Sequence, residues 1–139
     1  MGYWLVKSEP FKYSWQQFVA EKETYWDGVR NYAARNHLRA MHLGDEVLFY
    51  HSNEGLEIVG IAKVVREAYP DPTAEPAEAN TWSVVNLAPV KALKQPVSLA
   101  TIKADARLAN MQIIKLSRLS VSMVTEEEWD VVMELGGMV

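Results

Sequence analysis

The sequence predicts an α+β domain in which five or six short strands form a curled or closed sheet with short helices packed around it. The candidate strands are short, and they do not alternate regularly with helices as they do in a doubly wound parallel sheet. The chain has 139 residues, which suits one domain over residues 1–139 that can bury a core without disulfides.

Aromatic residues and capping signals define the first elements. Residues 3–7 form a short aromatic and β-branched run, which predicts a strand. Ser14 and Gln17 fit a capping box at the start of a short helix. Asn31 can cap a second helix, which a turn at residues 43–45 ends. An apolar stripe in that helix recurs at spacings of four and three, at Ala34, Leu38 and Met41.

The middle of the chain predicts three strands and one long loop. Residues 46–51 and 56–65 are rich in aromatic and β-branched residues, and the SNEG sequence between them predicts a tight hairpin connection. Residues 69–80 contain three prolines and little apolar content, so we expect a surface loop. Residues 82–93 alternate well enough to predict a long strand.

The C-terminal part predicts two helices and a strand. Ser98 caps a short helical segment, and residues 119–124 form the last strand. Thr125 and Glu128 make a second capping box. The helix that this box opens ends at Gly136, because glycine commonly terminates helices.

Composition limits the classes of function. The net charge is −4 and the isoelectric point is near 5.4, so a nucleic-acid role requires a local basic patch or a pocket for one nucleotide. Cysteine is absent, which excludes disulfides and thiolate chemistry. No apolar run is long enough to span a bilayer, and no signal peptide is visible. We therefore expect no membrane partner and a cytoplasmic location, or a nuclear one in a eukaryote.

The sequence carries no dinucleotide-binding fingerprint, phosphate-binding loop or nucleophile elbow. His37 and His42 are five residues apart, whereas metal ligands on one helix face are three or four apart. We therefore expect no catalytic residue, no metal site and no cofactor. An enzyme acting on a nucleotide-derived substrate stays an alternative, with Lys7, Glu9 or His51 as acid–base groups.

Polar and aromatic residues concentrate in three clusters at residues 4–10, 26–36 and 49–53, each at the end of a predicted strand or the start of a predicted helix. A curled sheet can gather these clusters around one mouth. Their rings can stack on a planar base, while arginine and lysine side chains, including Arg39, hold phosphates. Structural roles also explain single members, with Trp26 as core and the arginines as solvated charges.

At these clusters the chain resembles the EVE domain family. The segments WLVKSEP, WDGVRNYAARN, LRAMHLGD, FYHS and PDPT occur in family order, and the resemblance continues through LSRLSV into the C-terminal helix. It implies a PUA-like fold, a small curled β-barrel, with a pocket for a modified nucleobase and modified cytosine in DNA as the favoured ligand. The motif positions imply these ligand-binding residues: Lys7, Ser8, Glu9, Trp26, Arg30, Asn31, Tyr32, Arg35, Tyr50, His51, Ser52 and Arg118.

Two positions depart from the family's pattern. Ala33 stands where glutamine is frequent, which removes an amide able to read a base edge, and Met123 stands where proline is common. The sequence as a whole predicts a non-catalytic module that recognises a modified nucleobase, with DNA favoured over RNA as its partner. A small-molecule sensor or a protein-interaction module is a further alternative, which the acidic isoelectric point favours.

Overall fold

Six strands form one mixed sheet in the computed structural model, which describes residues 2–139. The strands are β1 (Tyr3–Ser8), β2 (Thr24–Tyr25), β3 (Glu46–His51), β4 (Glu57–Pro70), β5 (Ser83–Ser98) and β6 (Val121–Val124). Their order across the sheet is β2-β5-β4-β3-β1-β6. The β1–β3 pair is parallel, and the other neighbouring pairs are antiparallel.

Five short helices cover the sheet. They are α1 (Trp15–Glu21), α2 (Tyr32–Ala40), α3 (Leu99–Ala104), α4 (Gln112–Lys115) and α5 (Glu126–Leu135). None of the helices within residues 2–139 has the length and apolar character needed to cross a bilayer.

Each face of the sheet has its own hydrophobic core, because successive side chains of a strand point to opposite faces. Trp4 of β1 lies in the first core, and the next residue, Leu5, lies in the second. Helices α1 and α2 cover the first core, whereas α3 and α5 cover the second. The main helix contributions are Phe18 and Leu38 to the first core, and Ile102 and Trp129 to the second.

The sheet bends around the first core without closing. Val85 of β5 and Val121 of β6 lie in that same core although three strands separate them in the sheet. Helix α2 packs against both of these strands. The edge strands β2 and β6 are not paired with each other in the described chain, so the sheet is open. The predicted α+β fold with five or six strands is confirmed, with an open curled sheet in place of a closed barrel.

Helix α2 begins where the sequence predicts and ends earlier. Asn31 is its N-cap, because its side-chain oxygen accepts the backbone N–H of Ala34 at 3.0 Å. The helix ends at Ala40. There the buried carboxylate of Asp45 accepts the backbone N–H of His42 at 2.9 Å and turns the chain toward β3.

The two predicted capping boxes differ in completeness. At α5, Thr125 Oγ1 accepts Glu128 N at 3.1 Å and Glu128 Oε1 accepts Thr125 N at 2.9 Å, so the box is complete. At α1, Ser14 Oγ accepts Gln17 N at 3.1 Å. The Gln17 amide, however, donates to Glu21 Oε2 at 3.3 Å, which leaves the second half of that box unmade.

Strands β4 and β5 each run five residues beyond their predicted ends. The hydrogen-bond ladder between β4 and β5 shifts register at four places, which are β-bulges or irregularities. Bulges let a strand bend and accommodate proline, as at Pro89 of β5. The loop predicted at residues 69–80 therefore begins after Pro70, and it contains a 3-10 turn at Pro76–Glu78. The connection between β3 and β4 occupies residues 52–56, near its predicted position.

Candidate functional site

An open cleft of about 310 Å³ lies beside the C-terminal end of β1. This volume is at the lower end of the range of about 300–1,000 Å³ that is typical of ligand pockets. Its walls come from the end of β1, from the turn that follows, and from β2 with the two residues after it. The lining residues are Lys7, Ser8, Lys12, Tyr13, Thr24, Tyr25, Trp26 and Asp27.

Backbone hydrogen bonds hold both walls of the cleft in place. The carbonyl of Glu9 accepts the N–H groups of Lys12 and Tyr13, both at 2.9 Å, which closes a tight turn. Ser8 Oγ donates to the carbonyl of Tyr13 at 2.6 Å and fastens this turn to β1. On the other wall, Trp26 N donates to the carbonyl of a β5 residue at 2.8 Å. The cleft is therefore preformed by the fold.

Two aromatic side chains give the cleft different surfaces. Trp26 is only 7% exposed and meets Phe49 and Tyr13 edge to face, with ring centroids 5.6 Å and 6.1 Å apart. Most of its indole therefore belongs to the first core, and the remainder lines the cleft. Tyr25 is 45% exposed, so its ring is available to stack on a planar ligand.

The two lysines of the cleft have partners within the protein, and so does the phenol of Tyr13. Lys7 Nζ donates to the carbonyl of Ser117 at 2.6 Å, and burial lowers the pKa of this lysine. Lys12 pairs with Glu9 at 3.3 Å. Burial, together with a hydrogen bond to Glu21, raises the pKa of Tyr13, so its phenol stays protonated at neutral pH.

A second group of predicted residues binds the β4–β5 loop. Arg30 Nη1 donates to Asp71 Oδ2 at 2.9 Å, and Arg35 Nη1 donates to the carbonyl of Thr81 at 3.0 Å. Tyr32 stacks on Trp82 with ring centroids 5.1 Å apart. We call this group the arginine–loop cluster: Arg30, Tyr32, Arg35, Arg39, Asp71, Thr81 and Trp82.

The structure therefore places some of the predicted site residues at the cleft and others at the arginine–loop cluster. Lys7, Ser8 and Trp26 line the cleft, and Glu9 forms the turn beside it. Arg118 is exposed and follows Ser117, whose carbonyl binds Lys7. The members of the arginine–loop cluster are not among the residues that line the cleft.

The site residues predicted in the third cluster, residues 49–53, also lie outside the cleft walls. Tyr50 is buried in the second core, on the opposite face of the sheet from Phe49. His51 Nε2 accepts the backbone N–H of Trp15 at 3.1 Å, and burial lowers the pKa of this histidine. Ser52 N donates to the carbonyl of Ser8 at 2.9 Å, which fixes the end of β1 where the cleft lies. A ligand-binding role for each of these residues stays a prediction.

Asp71 is an organising residue that sequence reasoning did not single out. Its buried carboxylate accepts hydrogen bonds from Gly28 N, Arg30, Thr73 N and Thr73 Oγ1. Burial alone raises the pKa of Asp71, but these four donors outweigh burial and hold the pKa below its ordinary value. Gly28 has a φ of 76°, a conformation that favours glycine. The PDPT sequence is the feature that indicates this role of Asp71, since an aspartate side chain commonly accepts a hydrogen bond from the backbone two residues onward.

The open, curled sheet and the aromatic cleft beside its strand ends define a small PUA-like α+β domain. The chain belongs to the EVE domain family, because that family's model matches residues 2–135. The family resemblance read from the sequence motifs is thereby confirmed.

Known proteins match over nearly the whole chain. Thymocyte nuclear protein 1 of Gallus gallus is 40% identical in an alignment of 164 positions, gaps included, that covers 96% of this chain and 68% of that protein. An NMR structure from Rhodopseudomonas palustris is 51% identical with a TM-score of 0.93, covering 100% of this chain and 95% of that one. The crystal structure of human THYN1 protein in complex with 5-methylcytosine-containing DNA is 37% identical with a TM-score of 0.90, covering 98% of both chains.

Proposed function

We propose that this protein is a non-catalytic module that binds DNA carrying a modified cytosine and holds that base in the cleft. One observation carries the proposal. A preformed cleft of nucleobase-accommodating size, with an exposed tyrosine and a tryptophan in its walls, lies in a fold that matches the human protein crystallised with 5-methylcytosine-containing DNA.

The lining residues supply the contacts that a flat, polar base requires. Tyr25 offers a stacking face, and base–aromatic stacking contributes about 1–3 kcal/mol. Asp27 places a carboxylate in the lining, and such a group can accept a hydrogen bond from the exocyclic amine of cytosine. The hydroxyl oxygens of Ser8 and Thr24 add neutral acceptors, because their protons are donated to the carbonyls of Tyr13 and Tyr25. The target base leaves the helical stack to enter such a pocket.

The phosphate contacts are few, in keeping with the acidic net charge. Lys7 and Lys12 line the cleft, and the exposed Arg118 follows Ser117, whose carbonyl binds Lys7; we call these three cations the basic rim. Three phosphate contacts give a plot of log affinity against log salt a slope of about −3. Base recognition thus supplies most of the specificity.

The word nuclear in the name of the vertebrate relatives supports an intracellular location with access to DNA.

A catalytic role has less support from the geometry. Each acid–base candidate has an intramolecular partner: Lys7 bonds the carbonyl of Ser117, Glu9 pairs with Lys12, and His51 accepts an N–H. An enzyme needs such a group directed at its substrate.

Fluorescence anisotropy with duplexes that contain cytosine, 5-methylcytosine or 5-hydroxymethylcytosine at one position tests the proposal. We expect a preference for a modified base, and weaker binding to RNA of the same sequence. Equal affinity for all three duplexes contradicts base recognition. Tight binding of a free nucleoside with no binding of DNA favours the sensor alternative.

Substitutions of two tyrosines distinguish a binding site in the cleft from one at the arginine–loop cluster. Tyr25→Ala should weaken binding to the preferred duplex by about tenfold, because it removes the exposed stacking face. Tyr32→Ala is the matched control, since Tyr32 is 61% exposed and stacks on Trp82 outside the cleft. A loss of affinity confined to Tyr32→Ala moves the binding site to the arginine–loop cluster.

A further inference from the structure

Phe11 is a large apolar side chain presented to solvent on the turn that contributes Lys12 and Tyr13 to the cleft. It is 67% exposed, the most exposed aromatic ring of the described chain. Its turn is the one that the Glu9 carbonyl closes through two hydrogen bonds, and Ser8 Oγ fastens that turn to β1. The ring is therefore displayed on a rigid support.

The residues around Phe11 connect it to the proposed binding site. Ser8, Lys12 and Tyr13, on either side of it in the chain, all line the cleft. The ammonium group of Lys12 lies 5.8 Å from the centroid of the Phe11 ring. An apolar ring with an adjacent cation matches a DNA duplex at the step where a base has left the stack, where a gap lies next to phosphates.

We propose that Phe11 inserts into the DNA base stack and occupies the space vacated when the modified base enters the cleft. This inference depends on the proposed function, which supplies the extruded base. Proteins that unstack DNA use apolar side chains such as phenylalanine and leucine in this way. The two aromatic groups then have separate tasks: Tyr25 stacks on the extruded base, and Phe11 fills the gap in the helix.

The test compares double-stranded with single-stranded DNA. Phe11→Ala should bind a duplex that contains 5-methylcytosine about tenfold more weakly than the wild-type protein, while its affinity for the same strand unpaired changes less than about twofold, because an unpaired base leaves no stack to fill. Phe11→Leu should restore most of the duplex affinity.

Leu43→Ala is the matched control variant. Leu43 is 63% exposed and precedes β3, whereas the cleft lies at the C-terminal end of the parallel neighbour β1, so the two sites are at opposite ends of the sheet. This variant should bind like the wild-type protein, and equal thermal midpoints for all variants exclude a folding effect.

The outcomes separate the insertion from the proposed function. Wild-type binding of modified duplexes with no effect of Phe11→Ala overturns the insertion alone. Equal weakening toward duplex and single strand also overturns it, because Phe11 then contacts the bound base and not the gap. A wild-type protein that binds no modified DNA overturns the proposed function, and the insertion with it.

Discussion

Replacing Asp71 by asparagine should destabilise the protein although it changes few atoms. One carboxylate oxygen of Asp71 accepts Gly28 N at 3.0 Å and Arg30 Nη1 at 2.9 Å. The other accepts Thr73 N at 2.7 Å and Thr73 Oγ1 at 2.6 Å. An asparagine keeps one oxygen and presents an NH₂ group in place of the other. With the NH₂ group turned toward Gly28 and Arg30, two donors face a donor. Turned toward Thr73, the NH₂ group opposes only Thr73 N–H, because the Thr73 hydroxyl can reverse and accept from it.

The expected loss follows from the hydrogen bonds. Bonds to a charged group contribute about 1.5–3 kcal/mol each. We take the lower value because the Arg30 side chain is 37% exposed and can be hydrated. In the better orientation one bond is lost, at about 1.5 kcal/mol, and the Arg30 bond weakens by about 1 kcal/mol because its acceptor becomes neutral, so the free energy of unfolding falls by about 2.5 kcal/mol. For 139 residues, with an unfolding entropy of about 2.1 cal/mol/K per residue, the midpoint temperature falls by about 9 °C.

Urea unfolding followed by tryptophan fluorescence measures this loss, with Asp27→Asn as the control. Asp27 is exposed and adjoins Gly28, so its replacement should change the free energy of unfolding by less than about 0.5 kcal/mol. A double-mutant cycle with Arg30→Met should show coupling to Asp71, since the two side chains are in contact. Equal midpoints for Asp71→Asn and Asp27→Asn would refute the reasoning.

Three further predictions concern the fold. Burial alone raises the pKa of Asp45, but its N–H donors outweigh burial and hold the pKa below 3.8. The ionised Asp45 carboxylate therefore stabilises the folded protein fully above about pH 3.8, and this contribution is lost as the pH falls through the lowered pKa. Asp45→Asn should therefore be less stable at pH 7 and show a shallower fall in melting temperature below pH 4. Gly60→Ala places a Cβ in steric overlap with three carbons of the Trp15 ring and should cost about 1–3 kcal/mol in urea unfolding; an unchanged midpoint contradicts this packing. Glu128→Ala should cost about 1 kcal/mol and Gln17→Ala less, because only Glu128 accepts the backbone N–H of its N-cap residue; equal losses in the same assay would show that the reciprocal bond adds nothing.

Elements with local signals are predictable from the sequence, and elements defined by distant partners are not. Strand β3 occupies residues 46–51 as predicted, because its apolar run is bounded by turns on both sides. Strand β2 has two residues and exists because Thr24 and Tyr25 pair with Leu87 and Asn86 of β5. Nothing local identifies such a strand, yet it forms one wall of the cleft.

The cleft itself was only partly accessible to sequence reasoning. The motif order identified Lys7, Ser8 and Trp26, which do line the cleft. Strand alternation places Phe49 and Tyr50 on opposite faces, but a continuously apolar strand between two cores does not reveal which face adjoins the cleft. The structure places Phe49 beside Trp26 and Tyr50 in the far core.

The arginines show why counting cations misjudges a binding surface. Arg35 and Arg39 lie four residues apart on α2, a spacing that also suits a phosphate-binding face. Both donate instead to carbonyls of the β4–β5 loop, Arg35 to Thr81 at 3.0 Å and Arg39 to Asn80 at 3.1 Å. The N–H groups that make these bonds hold the loop and are not free to bind phosphates. Arg35 and Arg39 therefore hold the loop against α2, and under the proposed function discrimination between DNA bases depends on the shape and polarity of the cleft.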